Sequence, residues 1–201
     1  MPECYIDTML VQTLVPPEKN SRYNHQHGCF AVSNEMELYS LKDKFALAII
    51  DNDKKKAKYL GGFIEIDNID DALKLYKHKE FHQYYIEINP AMEAWILKVC
   101  EQEKIDINTE FGLPQDLKEL KRITKAQASI KDKRFLDLFF KFKMSNDYLL
   151  LTSITGGSNC SPKYSANSIS FLFLLDKILC ADNSLFTFLN DSLSDRDVLP
   201  L

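Results

Sequence analysis

The chain has few of the features that mark a specialised class of protein. Its five cysteines include no CxxC pair, and their number is odd. Because the sequence also has no signal-like start, a disulfide framework is not indicated and a reduced, cytoplasmic setting is expected.

The sequence also lacks a long apolar run and an excess of positive charge. No stretch reaches the roughly 20 apolar residues that a membrane span requires, so no membrane association is predicted. The net charge of −4 gives no overall reason to expect nucleic-acid binding, although a local basic patch is compatible with it. The 201 residues, 45% of them hydrophobic and 27% charged, suit a globular chain with a real core.

Glutamate is missing from the chain after Glu119, while residues 151–201 are rich in Ser, Leu and Phe. This shift in composition marks the tail as a distinct subregion. Its most apolar part, residues 168–180, has the length of a buried helix or strand. The sequence assigns no function to this tail.

The most informative stretch that is present runs from residue 45 to residue 54. Its six leading apolar residues predict a strand that is buried on both faces. Asp51 and Asp53 follow at the strand spacing that points both side chains the same way, and a lysine run begins at Lys54. Both carboxylates could therefore bind one divalent cation. The alternative is that these residues form only a polar turn.

The order of the predicted elements indicates an α/β chain. A strand candidate at 4–6, helical spacing over 8–15 and 31–41, and the strand at 45–50 suggest a crossover between parallel strands. Further strand candidates lie at 63–66, 73–76 and 84–88. The strongest helical pattern begins at Met92, and two more helices are predicted near 115–123 and 134–144.

Four acidic residues fall at equivalent places in this order. Asp7 ends the first predicted strand, Asp51 and Asp53 end the second, and Glu93 lies in the first helical turn after the strand at 84–88. If these strands are parallel neighbours, the carboxylates gather at one edge of the sheet. Such clusters bind Mg²⁺ or Mn²⁺, which position a phosphodiester and activate water.

This ordered set resembles the TOPRIM pattern of topoisomerases, bacterial primases and OLD-type nucleases. The pattern has an acid after the first strand, a helix, a glycine loop, a second helix, and a hydrophobic strand ending in Asp-x-Asp. Residues 88–97 add an Asn-Pro-x-x-Glu-x-Trp segment, which is similar to that of the RloB-type TOPRIM-like proteins found near bacterial defence loci. The resemblance covers about residues 4–100.

The resemblance implies a fold as well as a site. The expected α/β fold has a TOPRIM-like, Rossmann-like core over residues 1–105, with a central, mostly parallel sheet flanked by helices. A mainly helical C-terminal region over residues 106–201 would pack on this core or extend it.

The resemblance also implies roles for individual residues. Asp51, Asp53 and Asp7 would bind Mg²⁺ or Mn²⁺, and Asp7 and Glu93 would be the catalytic acids. Substrate contacts are expected from the lysine run and from the loop that should flank the site, through Lys54, His25, His27 and Gly28. The chain departs from the family in one place, because Asp7-Thr8 stands where the family usually has Glu-Gly. This departure favours a member that binds without cutting.

Simpler explanations exist for the same residues. Asp7 would suit a helix N-cap, and the helix dipole favours Glu93 in a first turn. The lysines from residue 54 to 58 would suit a solvated face as well as a phosphate contact. His25, His27 and Cys29 alternate like metal ligands, but no second ligand cluster accompanies them, so zinc is not predicted.

The expected function is that of a metal-dependent nuclease of TOPRIM type in bacterial anti-phage defence. The alternative is a catalytically inactive TOPRIM-like module that binds a partner protein or nucleic acid. A third expectation is an assembly module whose tail, residues 151–201, docks on a partner or on a second copy as a homo-oligomer.

Overall fold

The computed structural model describes residues 1–17, 22–52, 55–69, 71–126, 129, 131–155, 174 and 178, and only the backbone of 145–155. Its strands are β1 (Ala46–Asp51), β2 (Phe63–Ile69), β3 (Leu73–His78) and β4 (Gln83–Ile88). Its helices are α1 (Tyr5–Leu14), α2 (Cys29–Glu37), α3 (Met92–Gln102), α4 (Ile107–Phe111), α5 (Leu117–Thr124) and α6 (Lys133–Thr155). Short 3₁₀ turns cover Tyr39–Leu41 and Lys58–Gly62. The chain is therefore α/β, as predicted.

The four described strands form one mixed sheet in the order β1-β4-β3-β2. β1 and β4 are parallel, with Ala46 opposite Gln83, whereas β4, β3 and β2 are antiparallel neighbours. The prediction of a mostly parallel sheet is therefore wrong. The links at residues 70–72 and 79–82 are too short for the crossover that parallel neighbours require, so they close antiparallel hairpins.

Residues 1–3 lie along the outer edge of β1. Pro2 forms a parallel bridge with Ile49, and the Glu3 amide donates to the Ile49 carbonyl at 3.1 Å. Residues 1–3 therefore reach β1 in parallel through an isolated bridge rather than as a strand. The strand predicted at residues 4–6 is wrong, because helix α1 already begins at Tyr5. Ile6 joins the helix because it continues the buried stripe formed by Met9, Leu10 and Leu14.

Helices cover both faces of the sheet. Ile49 packs in the core shared with α1, α3 and α6, whereas Ala48 and Ile50 pack in a second cluster with Val32 and Met36 of α2. β1 is therefore buried on both faces, as its unbroken apolar run predicts.

The described C-terminal part is helical and shares the larger core. The helices predicted at 115–123 and 134–144 are present as α5 and α6, and α4 is an additional short helix. Leu174 and Ile178, from the apolar segment at 168–180, are buried in the same core. The rest of the tail, to which the assembly hypothesis refers, lies outside the described residues. Among the helices that the structure describes, none is long and apolar enough to cross a membrane.

Candidate functional site

Glu3 is an acidic residue that sequence reasoning missed. It is the acid at the end of the segment paired with β1, and it is only 3% exposed. Its Oε2 accepts a hydrogen bond from the Asp51 amide at 3.0 Å, which joins it to the end of β1. The sequence did contain an indication of Glu3. The apolar helical stripe begins at Ile6, so a strand before the helix could only lie within residues 1–4, where Glu3 is the one acid.

Asp7 lies in the first turn of α1 rather than at a strand end, so that prediction is wrong. Its Oδ2 accepts from the Cys4 amide at 3.0 Å. Asp7 is the third residue of the helix, and Cys4 is the N-cap residue. The Asp7 carboxylate therefore accepts from the amide of the N-cap residue, as the N3 side chain of a capping box does, and is not itself the N-cap. Asp7 is fully buried, and among the described residues its Oδ1 has no hydrogen-bond partner.

The carboxyl of Asp7 lies in the field of two other acids. Burial raises its pKa well above the ordinary value, and the charges of Asp51 and then Glu3 raise it further, against hydrogen bonds with Cys4 that lower it. The carboxylate of Asp7 therefore lies close enough to Asp51 and Glu3 for their charges to act on it. We call Glu3, Asp7 and Asp51 the acidic edge.

Asp51 holds the beginning of helix α3. The residue before the helix is Ala91, whose side chain has no acceptor, and the Met92 amide instead donates to Asp51 Oδ1 at 2.9 Å. The side-chain oxygen of Asn89, two residues before Ala91, accepts from the Asn52 side chain at 3.2 Å. A carboxylate at the end of β1 thus caps α3, and its negative charge interacts favourably with the positive end of the helix dipole.

Glu93 lies in the first turn of α3, as predicted, and is 7% exposed. Its carboxylate accepts a hydrogen bond from the hydroxyl of Thr124 at the end of α5. The side chain therefore joins α3 to α5. It follows Met92 directly, so this junction lies beside the acidic edge.

The glycine loop runs against the segment that carries Glu3. The Gln26 amide donates to the Pro2 carbonyl at 3.0 Å, and the Gly28 amide donates to the Glu3 carbonyl at 3.1 Å. Gly28 has φ +96°, a conformation that residues with a side chain rarely adopt, and it is the N-cap residue of α2. The expectation that this loop flanks the acids therefore has a direct backbone basis.

The two loop histidines pack on the first turn of α1. His25 stacks on Tyr5 with ring centroids 4.5 Å apart, and its Nδ1 is 2.8 Å from the Thr8 hydroxyl. The rings of His25 and His27 meet edge to face at 4.8 Å. Burial, followed by the charge of His27, lowers the pKa of His25, which favours the neutral ring.

Two of the predicted site residues cannot be compared with the structure. Asp53 and Lys54 lie outside the described residues, so their proposed roles stay predictions. Within the described part of the chain, no three side chains of His, Cys, Asp or Glu are arranged to hold a metal ion. The structure brings Asp7 and Asp51 together, adds Glu3 to them, and directs Glu93 to Thr124.

Comparison of the chain with protein-family models, with curated proteins and with solved structures finds no match.

Proposed function

We propose that the protein is a metal-dependent nucleic-acid phosphodiesterase of TOPRIM type that acts in bacterial anti-phage defence. The acidic edge carries this proposal. Glu3, Asp7 and Asp51 come from three segments and meet where two parallel segments end, although their charges repel one another. Replacing one of the acids would relieve this repulsion, so their presence together favours a role beyond the hydrogen bonds that these side chains accept.

The donor set suits a hard divalent cation. All the groups are carboxylates, and Asp7 Oδ1 is a buried oxygen without a hydrogen-bond partner in the described structure. Asp51, Asp53, Glu3 and Asp7 would together hold Mg²⁺ or Mn²⁺. The described acids alone are not arranged to hold a cation, so the proposal requires Asp53 to complete the site. When bound, such a cation positions a phosphodiester and makes water a better nucleophile.

Glu3 supplies a glutamate at the position where the chain departs from the TOPRIM pattern. Asp7-Thr8 departs from the family's Glu-Gly, but the acid that ends the first paired segment is a glutamate, Glu3. The order of acid, helix, glycine loop, helix and strand then begins with Glu3. Asp7 becomes an additional acid within the helix that follows.

Calorimetric titration with Mn²⁺ tests the proposal. We expect saturable binding by the wild type and at least about tenfold weaker binding by Asp51→Asn, because an amide lacks the charge but still accepts from Met92. Asp43→Asn, at an exposed position, makes the same change elsewhere and should bind as the wild type does.

A cleavage assay with Mn²⁺ on single-stranded and duplex DNA and RNA completes the test. We expect phosphodiester cleavage by the wild type and its loss in Asp51→Asn. Equal Mn²⁺ affinity in the two proteins, together with no cleavage of any substrate, would contradict the proposal.

A catalytically inactive binding module is the second candidate. Asp51 caps α3, and Glu93 accepts a hydrogen bond from Thr124, so the fold alone is a sufficient reason for both acids to be present. This candidate expects no heat on Mn²⁺ addition and no cleavage. Binding of a nucleic acid or a partner protein in EDTA would then be its positive result.

A further inference from the structure

Helix α5 has a basic face that the proposed chemistry does not use. Lys118, Lys121, Arg122 and Lys125 follow the i, i+3, i+4, i+7 spacing that places residues on one side of a helix. Lys118, Arg122 and Lys125 are exposed and Lys121 is half-buried. Leu120 on the other side is fully buried, so the orientation of the helix is set by the core.

Three of these four cations lack a carboxylate partner. Arg122 pairs with Glu119 at 3.0 Å, but Lys118, Lys121 and Lys125 form no ion pair with any residue that the structure describes. Basic residues on α6 are matched within the same stretch of chain, as in the pairs of Lys133 with Asp137 and Arg134 with Asp132. We call Lys118, Lys121 and Lys125 the lysine face.

The lysine face borders an open groove of about 520 Å³. The described lining consists of Asp116, Leu117, Lys118, Lys121, Arg122 and Lys125. In a chain of net charge −4, this is a local concentration of positive charge that a polyanion can approach.

A short series of contacts joins the lysine face to the acidic edge. Thr124, between Lys121 and Lys125 on the helix, donates to Glu93. Glu93 follows Met92, whose amide donates to Asp51. The C-terminal end of the lysine face is thus fixed to the helix that Asp51 caps.

We propose that the lysine face binds the phosphate backbone of a nucleic acid and leads it towards the acidic edge. The binding step stands on α5 alone, and the delivery step rests on the proposed function. Lysines contact phosphates as point charges, so recognition is independent of base sequence.

Other anionic partners fit this face less well. Lysine is depleted at the centre of protein–protein interfaces, and the face offers no aromatic anchor. A membrane-surface helix would insert its apolar side, but Leu120 and Ile123 pack into the protein core. The lysines lie on the side of α5 that faces solvent, while Leu120 and Ile123 pack into the core. A phosphate backbone requires only such a row of accessible positive charges.

The test is binding in EDTA, where metal-dependent cleavage is silent. The wild type is titrated against labelled single-stranded DNA, single-stranded RNA and duplex DNA, and anisotropy is followed over a range of salt concentrations. The variant combines Lys118→Gln, Lys121→Gln and Lys125→Gln, which keep helix propensity. The matched control combines Lys44→Gln, Lys79→Gln and Lys104→Gln, which remove the same charge from other exposed positions.

Loss of three phosphate contacts predicts a large and specific effect. For a single strand, the slope of log affinity against log salt should fall by about 2, and affinity at about 0.1 M salt should fall on the order of 100-fold. The control should keep the slope of the wild type. Unchanged melting temperatures of both triple variants would show that the loss is not unfolding.

Three outcomes overturn the inference. They are equal losses in the variant and the control, absence of nucleic-acid binding by the wild type, and α5-dependent binding of poly-glutamate or anionic vesicles in its place. Failure of the proposed function is separate, because a protein that binds through α5 in EDTA yet never cleaves with Mn²⁺ upholds the binding step and removes the delivery step together with catalysis.

Discussion

The acidic edge and the lysine face each bring together charges of one sign, but the acids are mostly buried and the lysines are mostly exposed to solvent. At the acidic edge Glu3 and Asp7 are buried, and burial, followed by the charges of Asp51 and Glu3, raises the pKa of Asp7. On α5 the lysines are largely in solvent, where repulsion is weak. Buried repulsion costs stability, so its presence points to a function, whereas exposed charge costs little and points to function only through its pattern.

The largest expected effect breaks the acidic edge at Glu3. Glu3→Gln keeps the acceptor for the Asp51 amide but removes the charge, so Mn²⁺-dependent cleavage should fall at least about 100-fold. Initial rates of Glu3→Gln and of the exposed control Asp43→Asn are compared with that of the wild type. Full activity in Glu3→Gln would exclude Glu3 from the proposed site and leave the role of its first acid to Asp7.

The next effect separates the two regions by removing their connection. Thr124→Val leaves the buried Glu93 carboxylate without its hydroxyl donor, which should lower the free energy of unfolding by about 1–3 kcal/mol. Urea unfolding provides the measurement. Thr13→Val is the matched control, because within the described part of the chain its buried hydroxyl donates to the Met9 carbonyl one turn earlier in α1 and to no carboxylate. Equal costs for the two variants would show that the contact between Thr124 and Glu93 has no special weight.

The smallest effect sharpens the electrostatic difference through pH. The folded-state pKa of Asp7 lies above its ordinary value, so the folded protein holds this proton more tightly than the unfolded chain. Stability from this group is therefore present at low pH and is lost as pH rises towards the folded-state pKa.

Asp7→Asn removes that loss while keeping the acceptor for the Cys4 amide. In EDTA, the melting temperature of the variant should therefore rise relative to that of the wild type as the pH increases above the ordinary pKa of an aspartate, about 4. A constant difference between the two proteins over this range would show that Asp7 keeps its ordinary affinity for protons.

Much of the fold was accessible from periodicity. The strand that became β1 is an unbroken apolar run, and the stripe on α3 repeats over the whole helix, so both predictions are confirmed. The mixed pairing was missed because strand direction depends on connection length, which local patterns do not weigh. Helix α4 was missed because five residues are too few to show a helical period.

The site was less accessible, because its contacts join distant parts of the chain. Glu3 was overlooked since the bonds of residues 1–3 to β1 are made by backbone atoms and leave no side-chain pattern. The cap of Asp51 on Met92 spans two elements, so no local motif announces it. The partnership of Glu93 with Thr124 likewise depends on how α5 packs.

The pairing of β1 has a consequence for how the protein folds. β2, β3 and β4 are joined by short links and can assemble early as a local meander. β1 must instead find β4 across the intervening hairpins, and the segment with Glu3 must cross two helices to reach β1. We therefore expect the carboxylates to come together late in folding, when the contacts between the most distant parts of the chain close.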